Sequence, residues 1–427
     1  MLRRLSLFLL LLAALAGPAR AQYCVPGARF TQTPVFSLAQ VASVQNVVYG
    51  QARNYQGQMQ ALTFNIFYPD FAADPLPKRP FVLIIHGGSF LTGDGSELNA
   101  TCQEFARRGY VAATLKYRLG WNASGPCAQR DTVSQSLAAY RGVQDAHAAM
   151  RYLTANAATF RIDTTWMFAG GNSAGAFVSA DLAFVQQAEM NSRVPNAVAQ
   201  LGPLNTSGNA LTTRFRLRGL FQNWGAVISD RFITAADAIP MVAFHGDRDQ
   251  VAPIDAGHND CPSGVVTYGS RSIYNRLVQL GQCAELNVKV GGCHGVYNDT
   301  PAQDVFRIEH AACFFKSLFC NSCTPVTHLD SIPSSCARLA SATAAPDARP
   351  GALAAYPNPT TSQLQLSGLP AGPAVRLVVY NSLGACVLTA ADARLPLDVS
   401  GLPAGLFILR ATSAAGDVRT LRFVKQE

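Results

Sequence analysis

A serine hydroxyl becomes an effective nucleophile when a base takes its proton and an acid orients that base. Gly171-Asn172-Ser173-Ala174-Gly175 offers such a serine in a G-x-S-x-G pattern. Small residues on both sides permit the sharp strand-to-helix turn that lifts a hydroxyl clear of a sheet. Alone, the pattern also fits an ordinary Gly-rich turn, since 34 of the 427 residues are glycine. Its context adds weight. His86-Gly87-Gly88-Ser89-Phe90 follows a continuous apolar run, and glycines there let backbone N–H groups turn toward one point. Together with the N–H of Ala174, such groups can hold the oxygen that becomes negative when a serine attacks a carbonyl.

Seven histidines compete to be the base. His147 and His310 fall within helical patterns, His328 in a linker and His86 in the Gly-rich loop. His245 ends a strand, where it supports the loop that follows. Of the remaining two, His258 and His294, we favour His294, because Gly291-Gly292-Cys293-His294-Gly295 follows a strand at the sheet end expected to carry the serine. For the acid, His245-Gly246-Asp247-Arg248-Asp249 places two carboxylates after a strand and before His294. Asp249 and Asp247 both fit the order Ser…Asp…His, and Asp255 is a more distant rival.

The elements that must position these groups alternate. Leu62–Tyr68, Phe81–Ile85, Val111–Leu115, Trp166–Ala169, Gly219–Trp224, Met241–Phe244 and Asn287–Val290 read as strands. Phe81–Ile85 is apolar throughout, as a strand buried on both faces should be. Glu97–Arg108 and Ser134–Asn156 read as helices, one helix opens at Ala174, and a last one starts at Thr300 with Gln303 completing a capping-box pattern. Such alternation predicts an α/β domain with a mostly parallel central sheet. Residues 324–355, rich in Pro, Ser, Thr and Ala, read as a linker. From Tyr356 onward, short alternating runs separated by Gly/Pro turns predict a small all-β sandwich. The expected organisation is therefore 1–21, 22–323, 324–355 and 356–427.

Residues 1–21 have Arg3 and Arg4, an apolar run from Leu5 to Ala16 and the small residues Ala19 and Ala21, the layout of a secretory signal peptide. The run falls short of the ~20 residues that span a bilayer, and no later stretch is expected to cross one. The formal charge of +8 contains no long basic block, so no nucleic-acid partner is expected. Export turns the 11 cysteines toward disulfides. Ten precede the tail and are expected to pair, with Cys386 left as one buried thiol. Zinc held by Cys313, Cys320, Cys323 and Cys336 is the weaker alternative.

Residues 61–318 resemble the α/β-hydrolase family, in particular its esterase and lipase branch. The resemblance rests on the two Gly-rich motifs, on Leu62–Pro69, on Tyr117-Arg118-Leu119, on Asp145–Asn156 with Phe160 and Asp163, and on His245-Gly246-x-x-Asp249. It implies Ser173 as nucleophile, His294 as base, Asp249 rather than Asp247 as acid, and the N–H groups of Gly88, Ser89 and Ala174 as the oxyanion hole. Ser89 stands where the family more often has a third glycine; the donor is backbone, so the hole should survive. Tyr356-Pro357-Asn358-Pro359-Thr360, residues 378–384, residues 397–405 and Phe423-Val424-Lys425 resemble a C-terminal sorting domain of the type IX secretion system of Bacteroidetes. That likeness implies the secretion machinery as partner, a secreted or cell-surface location, and a tail often removed on arrival.

The expected function is that of a secreted serine carboxylic-ester hydrolase working through an acyl-enzyme, with no metal or organic cofactor required. Phe90, Trp121 and Trp224, each just after a strand, are expected to line the substrate pocket. Acylated polysaccharide, feruloylated cell wall, polyester and small acyl esters are the candidate substrates. A serine peptidase of the same fold and a non-catalytic binding protein are the rival classes.

Overall fold

The computed structural model describes residues 22–259, 262–333, 336, 353–370, 375–381, 386–390, 396–413 and 417–426. The expected signal peptide, residues 1–21, lies outside the described residues, as does most of 334–352. Contacts divide the chain into two compact units, residues 1–342 and 343–427.

The first unit is built on a nine-stranded sheet. Its strands are β1 (Val41–Arg53), β2 (Met59–Pro69), β3 (Arg79–Ile85), β4 (Val111–Leu115), β5 (Ile162–Asn172), β6 (Leu217–Asn223), β8 (Met241–Gly246), β11 (Ala284–Lys289) and β12 (Val326–Leu329), in the order β1-β2-β4-β3-β5-β6-β8-β11-β12. β1 and β2 form an antiparallel hairpin, β2 meets β4 antiparallel, and from β4 to β12 the neighbours run parallel. A small antiparallel sheet holds β7 (Ala226–Val227), β9 (Ala256–His258) and β10 (Val266–Gly269). The helices are α1 (Asn99–Arg107), α2 (Thr132–Ala155), α3 (Ala174–Phe184), α4 (Gln187–Arg193), α5 (Ala197–Leu201), α6 (Ser270–Gln279) and α7 (Pro301–Phe319).

Every residue of β3 is buried. Its side chains alternate between two cores, because successive Cβ atoms point to opposite faces. Phe81, Leu83 and Ile85 belong to the core that α2, α3 and α6 cover. Val82 and Ile84 pack with Phe105 of α1 and Phe314, Phe315 and Phe319 of α7. A parallel sheet covered on both faces follows, and it turns the carboxyl ends of β3, β5, β8 and β11 toward one rim.

Two expectations need correction. The stretch read as linker begins with sheet: β12 pairs parallel with β11, because Val326 and Leu329 sit in a four-residue run long enough to extend an edge although its neighbours are polar. Cysteine pairing is also less complete than expected. Cys24–Cys320, Cys283–Cys323 and Cys313–Cys336 are disulfides and Cys127 is disulfide-bonded, but Cys102 and Cys293 are free, and the free thiol of Cys386 is exposed rather than buried. The zinc alternative falls, since all four of its cysteines are oxidised in these pairs.

The second unit contains antiparallel strands. β13 (Ala354–Tyr356), β14 (Gln363–Ser367) and β17 (Leu397–Asp398) form one sheet; β15 (Val375–Tyr380), β16 (Cys386–Ala390), β18 (Gly405–Ser413) and β19 (Val418–Lys425) form another. Leu364, Leu377, Leu409 and Phe423 are among the residues of its core.

Candidate active site

β5 ends at Asn172 and α3 begins at Ala174, so Ser173 alone makes the turn between them. Its φ is 51° and its ψ −120°, a conformation non-glycine residues rarely hold unless the surroundings enforce it. Two glycines make the enforcement possible. A Cβ on Gly175 would lie 2.0 Å from the carbonyl oxygen of Ile85, and one on Gly171 would lie 2.5 Å from the same oxygen. β3 can therefore press against the elbow only while both positions lack side chains. The Ser173 N–H donates to Asn223 O at 2.9 Å, tying the turn to the end of β6.

The Ser173 hydroxyl lies 2.9 Å from His294 Nε2. On the other side of the ring, Nδ1 lies 2.7 Å from Asp249 Oδ2. An ionised carboxylate only accepts, so Nδ1 carries the proton and Nε2 is left to accept from the serine. Asp249 is fully buried, while the imidazole keeps 24% of its surface exposed. Oδ1 of Asp249 accepts from the N–H groups of Val251 and Ala252, both at 2.9 Å. Burial pushes this carboxyl upward, but hydrogen bonds from His245, His294 and the Ala252 N–H outweigh it and hold it well below the usual carboxylate range.

The rival residues have other partners. Oδ1 of Asp247 accepts from the Gly291 N–H at 2.6 Å and so anchors the start of the His294 loop. Asp255 pairs with Arg271 at 2.9 Å. His258 Nδ1 lies 2.8 Å from the carbonyl of Gly264. His245 Nε2 reaches Ala252 O at 2.7 Å and Asp249 Oδ2 at 3.2 Å, supporting the acid loop from beneath.

Next to the serine, Gly88, Ser89 and Phe90 all have positive φ, at 104°, 52° and 61°. A Cβ at Gly88 would fall 2.1 Å from Thr92 O, so the first of these positions requires glycine. Gly88 O accepts from the N–H groups of Leu91 and Thr92 and closes the turn. Among the described residues, the N–H groups of Gly88, Ser89 and Ala174 have no acceptor, and Ser89 and Ala174 border the cleft at Ser173. Gly88 shapes the loop without lining that cleft.

Phe90 lines the cleft with Phe177, Ala226 and Val251, and its ring meets Phe177 edge-on at 5.9 Å. The enclosed space is small, about 40 Å³. Trp121 and Trp224, expected as pocket walls, do not border it. Trp121 is buried behind the loop, its Nε1–H donating to Ser89 O at 2.8 Å. Trp224 is buried beside the base, with its ring 6.2 Å from that of His294. An aromatic residue after a strand can face the cleft or brace the loops around it, and sequence position does not distinguish the two.

A further bracing residue carried no sequence signal. Arg307, buried on α7, donates from Nε to Tyr297 O at 2.8 Å and from a terminal nitrogen to Asn298 Oδ1 at 2.7 Å. It also pairs with Asp304. Burial lowers its pKa to about 10, with Asp304 opposing, and the side chain remains cationic at neutral pH. Behind the Trp121 loop, Arg118 forks onto Asp145 at 2.7–3.0 Å, joining the end of β4 to α2.

A hydroxyl, an imidazole and a carboxylate in line, beside the unengaged N–H groups of Gly88, Ser89 and Ala174, can carry out acyl transfer. Residues 64–205 match the BD-FAE family model, and residues 354–426 match the secretion system C-terminal sorting domain. Carboxylesterase 3B of Mus musculus is 33% identical over 123 residues, 28% of this chain and 20% of that protein. Bile salt-activated lipase of the same organism is 32% identical over 130 residues, 29% of this chain and 21% of that protein. The chain thus spans about a fifth of the length of these curated relatives. Among solved structures, propionate-bound esterase Est2 of Thermogutta terrifontis is similar at 19% identity with a TM-score of 0.44, covering 65% of this chain and 93% of that one. A truncated carbohydrate esterase from gut microbiota is similar at 18% identity with a TM-score of 0.46, covering 67% and 99%.

Proposed function

The chain carries a BD-FAE domain of the α/β-hydrolase esterases and a secretion-system sorting tail, and from that premise we propose that it is a secreted serine hydrolase of carboxylic esters. The observation that carries the reading is the continuous path from Ser173 Oγ through His294 to Asp249, at 2.9 and 2.7 Å. Ser173 attacks the ester carbonyl as His294 Nε2 takes its proton. Asp249 fixes the tautomer and stabilises the imidazolium. The N–H groups of Gly88, Ser89 and Ala174 receive the oxyanion. His294 then protonates the departing alcohol, and water activated by the same nitrogen releases the acid.

The cleft beside Ser173 is narrow and walled by Phe90, Phe177, Ala226 and Val251, which suits a short acyl group. The sorting tail directs the chain through the type IX system to the cell surface or beyond, where short acyl esters on polysaccharides are the substrates most consistent with both features. Among the described residues, no helix is long and apolar enough to cross a membrane.

The test is labelling of the purified chain with a fluorophosphonate, combined with turnover of p-nitrophenyl acetate, butyrate and decanoate and of a matched peptide p-nitroanilide. Labelling at Ser173, fastest turnover of the acetate and loss of both in Ser173→Ala are expected. Absence of both labelling and turnover would favour the binding-protein class, and preferential cleavage of the anilide would favour a peptidase.

A further inference from the structure

A second concavity lies at the opposite end of the sheet from Ser173. It is a groove of about 650 Å³, within the range typical of small-molecule sites. Leu217, at the start of β6, and Ile239, just before β8, contribute to its lining. The carboxyl ends of those two strands lie at the serine rim, so the groove and the cleft are separated by the length of the strands.

Its charge is unbalanced. Arg214 and Arg216 line it, both are exposed, and neither has a hydrogen-bond or ion-pair partner among the described residues. Several other arginines of this unit meet carboxylates, among them Arg79 with Asp74, Arg108 with Glu104, Arg118 with Asp145, Arg271 with Asp255 and Arg307 with Asp304. The carboxylate lining the groove, Asp237, is already engaged, accepting from the N–H and hydroxyl of Thr234 at 2.8 and 3.0 Å. Arg214 and Arg216 are two residues apart, and both line the same groove.

The rest of the groove is preformed and partly apolar. Arg151 holds one wall, donating to the carbonyls of Asn205 and Ser207 at 2.5 and 2.6 Å. Leu182, Leu217 and Ile239 are buried residues at its base, and Phe215 lies between the two arginines in sequence, its ring 5.6 Å from that of His147. A planar guanidinium matches a carboxylate with two parallel hydrogen bonds, while the leucine, isoleucine and phenylalanine surface suits hydrocarbon. We propose that this groove is an accessory binding site for a small organic carboxylate with an apolar body. The head sits on Arg214 and Arg216 and the body lies against Leu182, Phe215 and Ile239. The proposal does not depend on ester hydrolysis at Ser173.

Isothermal titration of the full chain with 4-phenylbutyrate, 4-phenylbutanol and sodium sulfate separates the terms. Saturable binding of one equivalent of phenylbutyrate is expected, with the alcohol and the sulfate each at least about tenfold weaker. The double variant Arg214→Gln/Arg216→Gln should lose at least about tenfold in affinity for phenylbutyrate. It should melt like the parent, because both side chains are exposed and unpaired. The chain phosphonylated at Ser173, whose cleft is filled, should bind as the parent does, which excludes the serine cleft as the site. Absence of saturable binding at millimolar ligand, equal affinity in the double variant, or equal affinity for the alcohol or the sulfate would each overturn the proposal. Equal affinity for sulfate would identify an adventitious ion only.

Discussion

The guanidinium of Arg307 lies 4.7 Å above the ring of Trp224, and that ring in turn meets His294 edge-on at 6.2 Å. One cation on α7 therefore braces His294 in two ways, through the indole and through the Tyr297 carbonyl and Asn298 side chain of its own loop. Arg307→Met should lower kcat by about 10- to 100-fold, since a displacement near 1 Å can cost that much, with KM little changed. Arg307→Lys should recover only part of the loss, because an ammonium reproduces the charge but not the planar fork. Equal KM and kcat effects would indicate general unfolding of the cleft instead.

Asp249 makes a sharper case. Replacing it with Asn substitutes an amide that can turn its NH2 toward the ring and favour the wrong tautomer, and a loss near 10⁴-fold in kcat is expected by analogy with other triads. The linkage has a definite sign. A carboxyl held below its unfolded value contributes stability above the unfolded pKa, near 4, and loses it as pH falls through the folded value. Asp249→Asn should therefore be less stable than the parent at neutral pH, and the gap in thermal midpoint should narrow progressively below about pH 4.

The parts of the fold legible in the sequence are those where one physical demand leaves few residue choices. The elbow could be read because Gly171 and Gly175 sit against a neighbouring carbonyl where no side chain fits, and β3 because burial on both faces forbids polar residues between Phe81 and Ile85. His294 followed from its loop's place after a strand. β1 was not read as a strand because its register shifts twice against β2, which breaks the alternation that marks a half-buried strand, and Val44 and Val48 remain exposed. Arg307 was invisible for another reason. A cation in an otherwise amphipathic helix reads as a solvated side chain, and only the folded loop supplies the partners that bury it.

Trp121 tests how firmly the oxyanion loop must be held. Its Nε1–H donates to Ser89 O at 2.8 Å, and the Gly120 N–H donates to Phe90 O at 2.8 Å. These two bonds hold the peptides that follow Ser89 and Phe90 while leaving the Ser89 N–H without an acceptor among the described residues. Trp121→Phe keeps most of the apolar volume and deletes one of the bonds. Full loss of an oxyanion donor costs roughly 2.7–4 kcal/mol, and a loosened donor should cost less, about tenfold in kcat. Ser89→Ala, which leaves the N–H in place, should be nearly silent in the same assay. If Ser89→Ala were as damaging as Trp121→Phe, the serine hydroxyl rather than the backbone would be the working group.

Asp181 predicts an unusual pH dependence of stability. It lies on α3, eight residues beyond Ser173, fully buried, with Oδ1 accepting from the Ile228 N–H at 3.0 Å and Oδ2 without a partner. Burial raises its pKa to about 8, with the Ile228 N–H and Arg193 opposing. Between about pH 4, where an unfolded aspartate ionises, and pH 8 the native carboxyl keeps its proton while the unfolded one has lost it. The native state then binds more protons, so this group makes stability fall as pH rises across that window. Asp181→Asn mimics the neutral form and does not titrate. The parent should lose thermal stability from pH 5 to pH 8 relative to the variant, and denaturant titrations of the two at both pH values measure the difference. Parallel behaviour of parent and variant would mean that Asp181 is already ionised in the native state.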